Sequence, residues 1–120
     1  MISWVWERLA YLGGGLRTWF GRPLRAVVRE GSLPRVFAPD AVYILEEDGE
    51  PWQASMRCPC GCGAILDMNL LPDDKPVWRT SIGKNGSATL HPSVWRTVGC
   101  KSHFFVRNGR IIWCEPGDRS

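Results

Sequence analysis

The sequence predicts a mainly β fold: a small antiparallel domain built from hairpins around a zinc site, with a short helical arm at the amino terminus. Three observations carry this. Short runs rich in β-branched and aromatic residues recur from residue 25 onward, bounded by Gly, Pro, Asn and Asp. Asp48-Gly49 and Asn108-Gly109 each lie between two such runs, where they read as the tight turns of hairpins. Cys58, Cys60 and Cys62 stand at alternate positions in one glycine-punctuated stretch, and Cys100 and His103 form a second sulfur and imidazole pair far downstream. Soft ligands supplied from two separated stretches are the set that Zn²⁺ prefers.

In chain order, residues 1–12 read as a short helix, with Trp4, Val5, Leu9, Ala10 and Tyr11 on a broad apolar face and Glu7 and Arg8 opposite. Gly13-Gly14-Gly15 is a flexible joint, and Gly21-Arg22-Pro23 stops a further helical turn. The arm over residues 1–24 is expected to pack on the sheet. Its Trp4, Trp6, Trp19 and Phe20, lying among Arg8, Arg17, Arg22 and Arg25, also suit a membrane surface or a partner. Strands are expected over residues 25–29, 41–45, 52–57, 64–68, 77–82 and 87–91, with Pro92-Ser93 ending the last of these. A final hairpin, residues 103–107 and 110–114, turns at Asn108-Gly109 in type I′ geometry. The division is therefore an arm over 1–24, a zinc-binding β domain over 25–114 and a loose polar tail over 115–120.

Composition narrows the functional classes. With 15 Lys and Arg against 12 Asp and Glu, the net charge of +3 is too weak to argue for nucleic-acid binding. No stretch reaches the ~20 apolar residues of a membrane span, and no basic segment opens the chain as in a signal peptide. Five cysteines cannot close a complete disulfide framework, and thiols two residues apart make strained bridges. A metal site in a reducing cytoplasm fits better.

Two or three of Cys58, Cys60 and Cys62, together with Cys100 and His103, would fill a tetrahedral site. Cys114, beside Ile111, Ile112 and Trp113, reads as core, with a fourth metal ligand as the alternative. If the site keeps a position for water, a carboxylate can act as general base, and Glu46 and Glu47 are the candidates because they leave the strand paired with the one carrying the thiols. His103 is then ligand or acid/base, and Ser102 can donate to a substrate oxyanion or merely cap the turn. His91 and Ser93 flank Pro92 close to the second ligand segment, which admits a serine nucleophile with a histidine base, but no G-x-S-x-G elbow is present. As a plain polar residue, His91 simply sits at a strand end.

Glu46-Glu47, the Cys58-Pro59-Cys60-Gly61-Cys62-Gly63 run, Leu90-His91-Pro92-Ser93, and Cys100-Lys101-Ser102-His103-Phe104-Phe105-Val106 with Ile112-Trp113 together resemble a small bacterial family. That family was long catalogued only as a domain of unknown function and is encoded beside ubiquitin-like modifiers and their E1- and E2-like enzymes. The resemblance spans about residues 25–114. It implies a zinc-dependent peptidase that trims or removes a ubiquitin-like protein by its extended carboxyl-terminal tail. Cys58, Cys60, Cys62, Cys100 and His103 would hold the metal, with Glu47 or Glu46 as acid/base. The competing expectation is a non-catalytic module with a closed structural zinc site that binds a partner through its tryptophans.

Overall fold

The computed structural model describes residues 23–97 and 99–114. The expected helical arm, apart from Pro23 and Leu24, and the expected tail over 115–120 fall outside them. Eight strands follow one another: β1 (Arg25–Glu30), β2 (Ala41–Glu47), β3 (Glu50–Arg57), β4 (Ile65–Asn69), β5 (Arg79–Ile82), β6 (Ala88–Trp95), β7 (His103–Arg107) and β8 (Arg110–Trp113). They form two four-stranded sheets in sequential order, β1-β2-β3-β4 and β5-β6-β7-β8. Among the described residues there is no helix.

The expected hairpins form. β2 and β3 turn through Asp48 (φ 53°) and Gly49 (φ 80°), and β7 and β8 through Asn108 (φ 49°) and Gly109 (φ 80°). Both turns therefore have positive φ at both central positions, as a type I′ turn demands. One pairing departs from an all-antiparallel meander. β1 pairs with β2 in parallel, Arg25 opposite Ala41 through Glu30 opposite Glu46. A parallel pair needs a crossover rather than a tight turn, and residues 31–40 supply it. Phe37 packs edge-on to Tyr43, and the Ala38 N–H donates to the Tyr43 hydroxyl at 2.9 Å.

The two sheets share one core. Val42, Ala54, Met56, Leu66 and Met68 of the first sheet pack in the same cluster as Ala88, Leu90, Val94, Phe104, Val106 and Ile111 of the second. Each large apolar side chain buried there contributes about 1.5–3 kcal/mol. Phe104 and Val106 are buried while Phe105 between them is half-exposed, so β7 alternates one face to the core and the other outward. Asn69, which ends β4, holds the passage from one sheet to the other: its side-chain amide donates to the carbonyls of Leu71, Asp74 and Pro76. Its own carbonyl accepts the Trp78 N–H just before β5.

The sixth strand departs most from expectation. Pro92 does not end it; β6 continues to Trp95. Between Leu90, opposite Val106, and Val94, opposite Phe104, the pairing register shifts. His91, Pro92 and Ser93 thus stand against the single residue Phe105. A proline inside a strand is tolerated at such a bulge, because the missing N–H is not asked to join the ladder.

At the end of the sandwich where β1 begins, the Leu24 N–H donates to the Gly109 carbonyl at 2.7 Å, and the Gly109 N–H donates to that of Ala88 at 2.7 Å. A Cβ on Gly109 would lie 2.9 Å from the Leu24 carbonyl oxygen, which is backbone and cannot swing aside. At Gly49 the same positive φ is found with open space around it. Gly109→Ala is therefore expected to cost at least about 2 kcal/mol in denaturant unfolding and Gly49→Ala only about 1 kcal/mol. Equal losses would show that the close approach to Leu24 carries no weight.

Candidate functional site

Two adjacent constellations lie at the end of the sandwich where β3 gives way to β4 and β6 to β7. The first is a cluster of thiols. The connection after β3 carries Cys58, Cys60 and Cys62, and the connection after β6 carries Cys100. Their four sulfurs all lie within 4.8 Å of one another. The local backbone makes this possible: the Cys58 N–H donates to the Ala64 carbonyl at 2.8 Å and the Gly61 N–H to that of Cys58 at 3.2 Å, while Gly61 and Gly63 adopt φ near 90°. Residues with a Cβ rarely enter that region, so the two glycines let three thiols converge within five residues. On the other side, the Arg96 N–H donates to the Ser102 carbonyl at 2.8 Å and closes the loop that presents Cys100.

The donor set fits a metal ion. Sulfur separations of 3.4 Å for Cys58–Cys60 and 3.6 Å for Cys58–Cys100 are far too long for a disulfide. They lie close to the edge of about 3.8 Å that a tetrahedron with metal–sulfur bonds of about 2.3 Å requires. Charge is unevenly shared among the thiols. Burial, and then the neighbouring Cys58 thiol, push Cys60 up to about 12. Burial likewise raises Cys58. Burial acts against ionisation at Cys100 as well, but hydrogen bonds from the Ser102 hydroxyl and N–H, joined by the Cys58 and Cys60 thiols, outweigh it and hold Cys100 at about 6. Arg96 adds a counter-charge, its guanidinium donating to Cys100 at 3.2 Å and to Cys62 at 3.6 Å. Four thiols gathered in this way could hold one metal ion.

The second constellation pairs Ser93, on the β6 bulge, with His103, the first residue of β7. The Ser93 Oγ and the His103 Nε2 are 2.9 Å apart. The imidazole stacks on the Trp95 indole, with centroids 5.2 Å apart and planes 23° apart, and has Phe105 on its other flank at 6.4 Å. Both backbones are pinned. The Trp78 indole N–H donates to the Ser93 carbonyl at 3.2 Å, and the Cys114 N–H donates to that of His103 at 2.9 Å. His103 Nδ1 is buried and has no hydrogen-bond partner among the described residues. Among the described residues no carboxylate bonds that nitrogen, where the third member of a catalytic triad would orient an imidazole. The stacked indole restrains the ring plane instead.

The residues singled out from sequence thus part company. Cys58, Cys60, Cys62 and Cys100 converge. His103, expected beside them as a ligand, is turned to Ser93. Ser102, expected as an oxyanion donor, is 9 % exposed, and its hydroxyl lies 3.1 Å from the Cys100 sulfur and 3.8 Å from that of Cys58, so it serves the thiols. Glu46 and Glu47 sit at the β2–β3 hairpin, where Glu47 faces Glu50. The thiols follow the other end of β3, roughly 24 Å of strand away. The two glutamates do lie on the strand paired with the thiol-bearing one, but at its opposite end. Cys114 is half-buried and outside the thiol group. Ser93, weighed as a nucleophile beside His91 and set aside for want of a G-x-S-x-G elbow, meets His103 instead. Proline within an alternating strand is itself the signal of a bulge, and bulges collect at active sites.

A protein-family model described as bacterial ubiquitination-like system serine protease (BubE) matches residues 29–114. No curated protein matches the chain, and no solved structure does. The family's description overturns the expectation of a zinc-dependent peptidase, because a serine protease attacks with a hydroxyl rather than with metal-bound water. It leaves protease activity in a ubiquitination-like system as the class of the family. With well over half of its length matched, the chain belongs to the bacterial ubiquitination-like system serine protease family.

Proposed function

We propose that this protein is a serine protease that cleaves the carboxyl-terminal tail of a ubiquitin-like protein, with Ser93 as nucleophile and His103 as general base. The observation that carries the reading is the 2.9 Å contact between the Ser93 hydroxyl and the His103 imidazole, on a bulge that aims the serine out of its strand. In the acylation step the Ser93 Oγ–H proton passes to His103 Nε2 as Oγ bonds to the scissile carbonyl carbon. The bond to the leaving group then breaks, and His103 returns the proton to it. Water, deprotonated by the same imidazole, releases the acyl group. For Nε2 to accept, the neutral ring carries its proton on Nδ1.

The four thiols belong to this reading as a structural zinc site. A closed set of four sulfur ligands leaves no position for water. Its contribution is to tie residues 58–62 to Cys100, three residues before His103, so that the hairpin carrying both catalytic side chains is clamped to the opposite sheet. Reduced thiols require a reducing compartment, and the cytoplasm provides one. The neighbouring E1- and E2-like enzymes of such a system are further partners in this proposal.

Two outcomes are expected. A fluorophosphonate probe should label the wild-type protein at Ser93 and leave Ser93→Ala unlabelled, with cleavage of a tailed ubiquitin-like precursor lost in the same variant. His103→Gln should slow both by about 10²–10⁴-fold. Labelling that persists at another serine in Ser93→Ala sinks the assignment. Mass spectrometry under native conditions should find one zinc per chain. Its removal by a chelator should lower the melting temperature and the labelling rate together, since the metal acts through the fold. A stripped protein that keeps its melting temperature but loses labelling would contradict a purely structural ion.

A further inference from the structure

The modest overall charge hides a strong segregation. Residues 23–74, which supply the first sheet, carry nine Asp and Glu against four Arg. Residues 75–114, which supply the whole second sheet and the Ser93–His103 pair, carry seven Lys and Arg and no Asp or Glu. The second sheet therefore has no internal carboxylate to offer its cations. Among the described residues the one ion pair is Arg25 with Asp40, in the first sheet.

The outward face of the second sheet is organised around the catalytic pair. Along it run Trp95, His103, Phe105 and Arg107, each against the next: 5.2 Å from indole to imidazole, 6.4 Å from imidazole to phenyl, and 4.7 Å from the Arg107 guanidinium to the phenyl centroid. Ile112 lies directly opposite Phe105 in the ladder, and Arg110 directly opposite Arg107. Trp95 is 50 % exposed and Ile112 41 % exposed. Two arginines facing each other across a ladder repel, which costs stability. Among the described residues neither has an ion pair to offset the cost. Such an arrangement suits an anionic group that arrives from outside.

We infer that the outward face formed by Trp95, Phe105, Ile112, Arg107 and Arg110 is the docking surface for the folded body of the substrate, and that this body presents an apolar spot bordered by Asp and Glu. The inference rests on the proposed protease function and adds how the substrate is selected. The row is continuous with the nucleophile, so a folded domain seated on Phe105 and Ile112 would lie beside the pair while its extended tail crosses Ser93. Charge complementarity chooses the occupant: a face with exposed Trp95 and Ile112, half-exposed Phe105 and two arginines that have no ion pair among the described residues, within a 75–114 stretch free of acids, discriminates against basic partners and favours acidic ones. Nucleic acid, the other polyanion, fits less well, because the exposed aromatics form one short row beside a nucleophile rather than a groove that tracks a backbone.

The test compares two substrates with the same scissile bond: the folded tailed ubiquitin-like precursor and its isolated carboxyl-terminal peptide. Between 50 and 300 mM NaCl, KM for the folded precursor should rise at least about fivefold as exposed charges are screened, while KM for the peptide changes by less than about twofold. Arg107→Glu with Arg110→Glu should raise KM for the precursor at least about tenfold with kcat nearly unchanged, and abolish the salt dependence; Arg107→Lys with Arg110→Lys should restore most of both. The salt series on wild type needs no variant, so a folding defect would not obscure the result. Equal effects on precursor and peptide, or no salt dependence, would overturn the docking surface. So would tighter binding of a single-stranded oligonucleotide than of the precursor with the same arginine dependence. Fluorophosphonate labelling of Ser93 separates the two levels: its absence strikes the protease reading, whereas labelling without arginine dependence strikes only the surface.

Discussion

The thiol cluster is the constraint on which the remaining geometry depends. Both sheets are made of sequential neighbours, so their ladders do nothing to fix one sheet against the other. At the end where β1 starts, the backbone bonds among Leu24, Ala88 and Gly109 do that. At the other end, the convergence of Cys58, Cys60, Cys62 and Cys100 does. In a domain of this size the apolar core is modest, and four sulfurs that could hold a metal ion would supply what further buried area supplies in a larger one.

Chemistry and structure are neighbours here without being the same site. Cys100 and His103 lie three residues apart, yet one faces the sulfurs and the other the β6 bulge. The reason is local. The loop closed by Arg96 and Ser102 presents Cys100, and the β strand begins at His103, where the side chain takes the outward face. Ser102, one residue earlier, takes the inward face and bonds to the sulfurs. The alternation of a strand thus turns Ser102 to the sulfurs and His103 to Ser93, in two consecutive residues.

The lack of acids between residues 75 and 114 bears on another feature. A triad needs a carboxylate against the second imidazole nitrogen, and no strand of the second sheet contains one. Among the described residues His103 Nδ1 is accordingly buried without a hydrogen-bond partner, and the ring stacks on Trp95. A sheet free of carboxylates gives up such an orienting bond and gains a face of single sign beside Ser93.

Much of this was legible in the sequence because it is governed by local chemistry. Asp48-Gly49 and Asn108-Gly109 announce their turns, alternation marks the strands, and four cysteines in two short segments announce that they meet. Three things were decided only by the tertiary structure. The parallel pairing of β1 depends on how residues 31–40 cross the sheet, which no dipeptide encodes. The distance of Glu46 and Glu47 from the thiols depends on which end of β3 each occupies, and a pairing pattern alone is silent on that. The partnership of Ser93 with His103 depends on two extra residues in β6 opposite Phe105. A bulge is a property of two strands together, so the chain that carries it does not reveal which imidazole its serine will meet.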